Sequence, residues 1–208
     1  MEQGTPEWHA ARCGKVTASR IADLMAKPKK PGEGLRATYM SELLAERLSG
    51  IQPESYVSDD MRWGSEQEAA ARDAYAFMEG RDVERVGFVD HPTIPMAGAS
   101  PDGLIGVDGL LEIKCPKTST HLETIRLERV PEKYLAQIHW QAACTRAGWC
   151  DFVSYDPRLQ PELRYFCQRV EIDPGYVTVL ELAVIDFNVQ LEAEIDYWRA
   201  YVAKRRAA

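Results

Sequence analysis

Ala99-Ser100-Pro101-Asp102-Gly103-Leu104-Ile105-Gly106-Val107-Asp108-Gly109-Leu110-Leu111-Glu112-Ile113-Lys114-Cys115-Pro116 reads as two apolar runs folded back on each other around an Asp-Gly turn. Such a pair between apolar runs is a strong hairpin signal, and Pro116, with no N–H to donate, ends the second run. Residues two apart in a strand share a face, so Glu112 and Lys114 point together, about 6.5 Å apart, while Ile113 points into the core. A regular two-residue turn at Asp108-Gly109 sets Asp102 on the opposite face from Glu112. For the charges to meet, the first arm must bend, and Gly103 and Gly106 permit a bend. Leu104, Leu110, Leu111 and Ile113 predict a buried hairpin, and buried charges need a partner or a metal. Two carboxylates are the hard oxygen ligands Mg²⁺ takes, and a lysine beside them steadies an attacking hydroxide or a crowded phosphate; together they suit phosphodiester hydrolysis. The Asp-x₉-Glu-x-Lys spacing alone also fits a solvated turn with a salt bridge.

Outward from this hairpin the period changes. Residues 83–89, 104–107 and 110–115 predict short strands divided by Pro92, Pro95 and Gly103, with further strands over 151–155 and 164–172. Before them, Thr5-Pro6-Glu7 predicts an N-cap with proline at the first helical position and a helix that Gly14 ends; another follows from Thr17. Residues 27–34 combine lysine, proline and glycine as an exposed loop does. Residues 35–48 form an amphipathic helix, with Leu43, Leu44 and Leu48 on the stripe and Gly50 past its end. Ser58-Asp59-Asp60 caps the next helix, which carries Trp63, Glu68, Arg72 and Tyr75 as far as Gly80. Helical pattern returns at 118–127 and 131–146. A long helix covers 174–204, with Val179, Leu180, Leu191, Ile195, Trp198 and Val202 as packing residues. Helices before, between and after a mixed central sheet predict an α/β sandwich with N-terminal helices and a long C-terminal helix.

The chain has 208 residues, 45% hydrophobic and 27% charged, the size and composition of one domain spanning 1–208 with a substantial core. No apolar run approaches the ~20 residues of a membrane span, and Met1-Glu2-Gln3-Gly4 lacks a signal-peptide start, so a soluble, cytoplasmic protein with no membrane partner is expected. The five cysteines (Cys13, Cys115, Cys144, Cys150, Cys167) show no C-x-x-C pair and read as reduced, mostly buried thiols. Lys+Arg 25 against Asp+Glu 32 gives a formal charge of -7, which argues against coating DNA by charge. It leaves room for a nuclease whose DNA contact is confined to a basic patch such as Lys27-Pro28-Lys29-Lys30.

The string Ala99 to Gly103 followed by Gly109 to Pro116 resembles the phage lambda exonuclease and YqaJ-like alkaline exonuclease family, within the restriction-endonuclease-like PD-(D/E)xK nucleases. Glu7-Trp8-His9 through Thr17-Ala18-Ser19, Trp63-Gly64 through Arg72, Tyr134 to Gln137, and Tyr155-Asp156-Pro157-Arg158 fit the same family in order, so the resemblance covers nearly the whole chain. It implies the restriction-endonuclease-like fold and a homotrimeric ring that threads linear duplex DNA. The ring would digest one strand 5′→3′ to mononucleotides and leave a 3′ single strand for an annealing protein. It also implies two Mg²⁺ ions, with Mn²⁺ as a substitute. Asp102, Glu112 and the Ile113 carbonyl would hold the first metal, Glu68 would complete the second, Lys114 would position the water, and Gln137 would contact it. Arg12, Ser19 and Ser100 would form a pocket for the 5′-phosphate, where a guanidinium clamps and hydroxyls donate. Met61 would be a wedge at the terminal base pairs and Lys29 part of a groove-touching loop. Where the lambda enzyme carries a further arginine, this chain has Thr120. A weaker 5′-phosphate preference follows unless Lys117 or His121 substitutes.

Other features read without chemistry. Trp8, Trp63, Trp140 and Trp198 lie on predicted helices as core or interface anchors. His9, His91, His121 and His139 share no metal-ligand spacing. Gln137 and Gln141, one helical turn apart, would on spacing alone face solvent. Two alternatives stand beside the exonuclease: a sequence-specific endonuclease with the same cluster, which would cut circles, and a noncatalytic DNA-end-binding recombination protein.

Overall fold

A computed structural model describes residues 2–27, 30, 32–53 and 58–207. The chain starts with α1 (Pro6–Arg12), where the Thr5 hydroxyl accepts from the Trp8 N–H and proline occupies the first turn. The helix expected from Thr17 begins four residues later. Val16–Thr17 is instead a strand, β1, followed by a 3-10 turn (Ala18–Arg20) and α2 (Ile21–Met25). α3 (Leu35–Ser49) ends at Gly50, whose φ of +70° is a left-handed cap, and α4 (Asp59–Glu79) follows. Next come β2 (Val89–Asp90), β3 (Ala97–Ala99), β4 (Gly103–Ile105) and β5 (Gly109–Lys114). α5 (Thr118–Leu127), α6 (Leu135–Thr145), β6 (Trp149–Tyr155), β7 (Tyr165–Glu171) and α7 (Pro174–Arg206) complete the chain.

The strands form two mixed sheets, ordered β1-β3-β2 and β4-β5-β6-β7. In the second, β5 runs parallel to β6 with Glu112 beside Phe152, and antiparallel pairs flank them. The strand expected over 83–89 shrinks to β2 and a single bridge between Glu84 and Leu104. Its backbone groups go elsewhere, since the Val86 carbonyl accepts from the Gln3 side chain.

Alternation across the four-stranded sheet builds two apolar layers. Leu111, Ile113 and Val153 pack with Ala71 and Tyr75 of α4, while Leu110, Cys150 and Phe152 pack with Ile138 and Ala142 of α6. The largest cluster joins α2, α3, α6 and α7 through Ile21, Leu43, Trp140, Phe187 and Leu191. Of the packing residues expected on α7, Leu180, Leu191 and Ile195 are buried, but Val179, Trp198 and Val202 are exposed. Val179 turns away from the body, and Trp198 and Val202 continue the apolar stripe past Ile195, the last buried residue of the helix. Leu48 is likewise exposed at the end of α3. Trp140 is the one expected tryptophan anchor that is fully buried; Trp8 and Trp63 are half-buried under the guanidinium groups of Arg12 and Arg158. All five cysteines are free, two buried and three half-buried. No helix is long and apolar enough to cross a membrane among the described residues.

Candidate active site

The loop between β4 and β5 decides how the charges meet. Gly103 pairs with Leu111 and Ile105 with Gly109, leaving Gly106, Val107 and Asp108 as a three-residue loop in place of the expected two-residue turn. That one-residue difference reverses the parity of the hairpin. The ladder ends at Gly103; Asp102 lies just before it, at a bend, and its carboxylate rather than its backbone takes the Ile113 N–H, which brings it beside Glu112. Gly109 belongs to the strand because nothing larger fits there: a Cβ would lie 2.3 Å from the Trp149 ring and 2.8 Å from the Ile105 carbonyl. Gly106 carries the left-handed conformation of the loop, at φ +60°.

Glu112 is 1% exposed. Its Oε1 accepts from Gln137 Nε2 at 2.6 Å and meets the Lys114 ammonium, while its Oε2 accepts from Gln141 Nε2 at 2.7 Å. Asp102 Oδ2 accepts from the Ile113 N–H at 2.6 Å. The backbone at Asp102 is held from both sides: Gln3 Nε2 donates to the Pro101 carbonyl at 2.8 Å and Arg72 Nε to the Asp102 carbonyl at 3.3 Å. Glu68 and Asp102 open into a cleft of about 810 Å³ walled by Gln3, Trp8, Arg72 and Arg85.

The electrostatics follow from this crowding. Burial, then the negative charge of Glu112 and also Glu68, holds the Asp102 carboxyl well above the usual carboxylate range, against Lys114 and the Ile113 N–H. Burial first, with Glu112 adding to it, raises Glu68, although Lys114 and Arg72 oppose. Burial works to lower the Lys114 ammonium, but Glu112 and Asp102 outweigh it and leave it above the ordinary lysine range. Lys114 is therefore a permanent cation here, suited to stabilising charge rather than to taking a proton. Burial, then Glu68 and Asp102, pushes the Cys115 thiol up to about 12, which leaves it inert as a nucleophile.

Does this set fit a divalent metal? Among the described residues no three His, Cys, Asp or Glu side chains stand ready in ligand geometry, and Lys114 occupies the Glu112 carboxylate. The donors nevertheless fit in kind and in place. Asp102, Glu112 and Glu68 are hard oxygen ligands; burial and neighbouring carboxylates raise Asp102 and Glu68, and a divalent cation would relieve that crowding.

Next to the carboxylates lies an anion pocket in part. Arg12 Nη1 donates to Ser100 Oγ at 3.3 Å, as does Trp8 Nε1 at 2.9 Å, and the guanidinium stacks 4.1 Å from the Trp8 ring. Arg12 Nε is buried without a hydrogen-bond partner among the described residues, and burial lowers the guanidinium pKa. A half-buried guanidinium with a spare donor and no carboxylate bonded to it is what an incoming phosphate needs. Ser19 is exposed, its hydroxyl 3.5 Å from that of Thr17, and Thr17 pairs with Gly98 two residues before Ser100. Neither stand-in for the missing arginine at Thr120 is free. His121 is buried between the Ser154 hydroxyl (2.7 Å) and the Leu163 carbonyl (2.8 Å), and Lys117 pairs with Asp60. Lys29 lies outside the described residues, and Met61 sits on α4 with its side chain outside them.

Two residues at the site went unselected by sequence: Gln3 and Arg72. Arg72 lies four residues after Glu68, on the same helical face, as Gln141 lies four after Gln137. For Gln3 no sequence signal exists.

A YqaJ-like viral recombinase domain matches residues 7–148. The alkaline exonuclease of Laribacter hongkongensis is 48% identical, with a TM-score of 0.91 over 96% of this chain and 99% of that one. The same enzyme in complex with dAMP superposes at 0.90 with 48% identity over the same shares. A phage-related exonuclease from Haemophilus somnus 129PT shares the fold at a TM-score of 0.64 and 12% identity, over 87% of this chain and 96% of that one. No curated protein matches.

Proposed function

The chain belongs to the family of YqaJ-like viral recombinase domains, and from that premise we propose that it is a metal-dependent DNA exonuclease that digests one strand of linear duplex from its 5′ end. The observation that carries the reading is the convergence of Asp102, bonded to the Ile113 N–H, with Glu112, paired with Lys114, and with Glu68 at the cleft, beside the Arg12–Ser100 pair. Asp102, Glu112, Glu68 and the Ile113 carbonyl would hold two Mg²⁺ ions, or Mn²⁺ in their place. When bound, such ions supply Lewis-acid polarisation of the scissile phosphate.

The chain's own groups do the rest. Lys114, cationic through the working range, stabilises the charge that builds on the phosphate. Gln137 presents its amide at the Glu112 carboxylate and aligns the attacking water there. Arg12 and Ser100, with Ser19 at the rim, hold the terminal 5′-phosphate and so fix polarity and register. With Thr120 where the lambda enzyme has a further arginine, discrimination for 5′-phosphate is weaker than in that enzyme. The digestion leaves a 3′ single strand for recombination by an annealing partner, and a homotrimeric ring around the duplex keeps the enzyme on its track.

The test compares linear duplex with 5′-phosphate, linear duplex with 5′-hydroxyl and closed circles, in Mg²⁺ and then in chelator. Mononucleotides released from linear DNA alone, in Mg²⁺ alone, support the reading. Cleavage of circles shows an endonuclease instead, and binding of ends without release shows a noncatalytic protein.

A further inference from the structure

Gln141 is 1% exposed, deeper than Gln137, which is half-buried. Both sit on α6 one turn apart and both aim their amide nitrogens at Glu112, but at different oxygens: Gln137 at Oε1, which Lys114 shares, and Gln141 at Oε2. Gln141 is the only donor recorded on Oε2 among the described residues. Its own Oε1 is buried with no hydrogen-bond partner among the described residues. Turning the amide over would bring that oxygen against the carboxylate, so Glu112 sets the orientation and the glutamine carbonyl goes unsatisfied. A buried acceptor without a donor is unfavourable, so packing alone gives no reason for a glutamine here.

We infer that Gln141 is a positioning residue for the metal site: its amide clamps Glu112 Oε2 so that the carboxylate keeps one rotamer, ready for a divalent cation shared with Asp102. A carboxylate beside a lysine has another choice, which is to swing wholly onto the ammonium. Gln141 holds the second oxygen against that swing from within α6, while Gln137, half-buried one turn earlier, holds the first. Hydrogen bonds behind a metal ligand have this effect generally, and their loss weakens metal binding about 10- to 100-fold. The inference rests on the metal-dependent reading above.

Mn²⁺ alone is titrated onto the full chain, with free Mn²⁺ read by electron paramagnetic resonance, for wild type, Gln141→Met, Gln141→Asn and Glu112→Gln. Met keeps the volume without a donor; Asn keeps an amide too short to reach, in case the first variant fails to fold. The expected result is Mn²⁺ affinity about 10- to 100-fold lower in the Gln141 variants, melting of the metal-free protein close to wild type, and exonuclease rate recovering at high Mn²⁺. Affinity within about twofold of wild type in a folded Gln141 variant, while Glu112→Gln loses binding, overturns the role of Gln141. Lower melting temperature with unchanged affinity also overturns it, since that is what a purely structural residue shows. If Glu112→Gln binds Mn²⁺ as wild type does, the metal reading itself fails and takes this inference with it.

Discussion

Asp102 Oδ2 accepts from the N–H of Ile113, the residue next to Glu112, and Glu112 is itself held by Gln137, Lys114 and Gln141, so each carboxylate has a fixed place. The two acids thus converge at the end of a buried hairpin, with Lys114 two residues after Glu112. The chemistry depends on that convergence.

Asp102→Asn or Glu112→Gln should abolish turnover while leaving the fold and DNA-end binding largely intact, because each replacement keeps the side chain's size while removing the charge and one acceptor oxygen. Mononucleotide release from linear duplex measures the first and filter or fluorescence binding the second. A wild-type rate in either variant removes these residues from the site.

Lys114→Ala should slow the reaction about 10²- to 10³-fold, the loss of roughly 3–4 kcal/mol of transition-state stabilisation. Since Lys114 remains charged well into the alkaline range, its contribution should not titrate between pH 7 and 9. Single-turnover rates give the ratio, and a loss below tenfold assigns Lys114 to structure alone.

Arg12→Ala should chiefly reduce processivity and the preference for 5′-phosphate over 5′-hydroxyl ends. Thr120→Arg should sharpen that preference, because His121 and Lys117 are already engaged elsewhere. Competition between the two kinds of end measures both; equal use of the ends by wild type and both variants removes the pocket.

Metal-free stability should fall as pH rises. Asp102 and Glu68 have folded-state values above the unfolded carboxylate range of about 4, so the stability their protonated forms contribute is full below that range. It is lost as pH climbs through the raised values. Glu68→Gln removes one of the repelling charges, so in chelator at pH 8 it should melt above wild type, by about 2–4 °C if relief is worth ~1 kcal/mol. Added Mg²⁺ should stabilise wild type more than the variant, which keeps the Asp102–Glu112 site but loses the ligand that completes the second. Glu68→Gln melting below wild type in chelator from pH 5 to 8 contradicts the crowding of these carboxylates.

Much of this was legible in residue pattern. The Thr5 cap, the Gly50 stop, the long α7 and the strands of the second sheet each follow from chemistry local to a few residues. β1 and β3 were not legible, because strands of two and three residues, Val16–Thr17 and Ala97–Ala99, are too short to show a period. The hairpin parity was ambiguous for a physical reason: Asp108-Gly109 has the composition of a tight turn, yet Gly109 is in the strand because the Trp149 ring, distant in sequence, leaves room only for glycine. Spacing puts Gln137 and Gln141 on one helical face but cannot show that Gln141 is buried, because its burial is set by its partner Glu112. Trp198 and Val202 look like core because they continue a core stripe that outruns the body it packs on.

The most direct test of the central claim is anomalous scattering from crystals of the protein soaked in Mn²⁺. The convergence of Asp102 and Glu112 predicts a peak within about 2.0–2.3 Å of a carboxylate oxygen of each. Saturating Mn²⁺ with no ion touching both residues contradicts it.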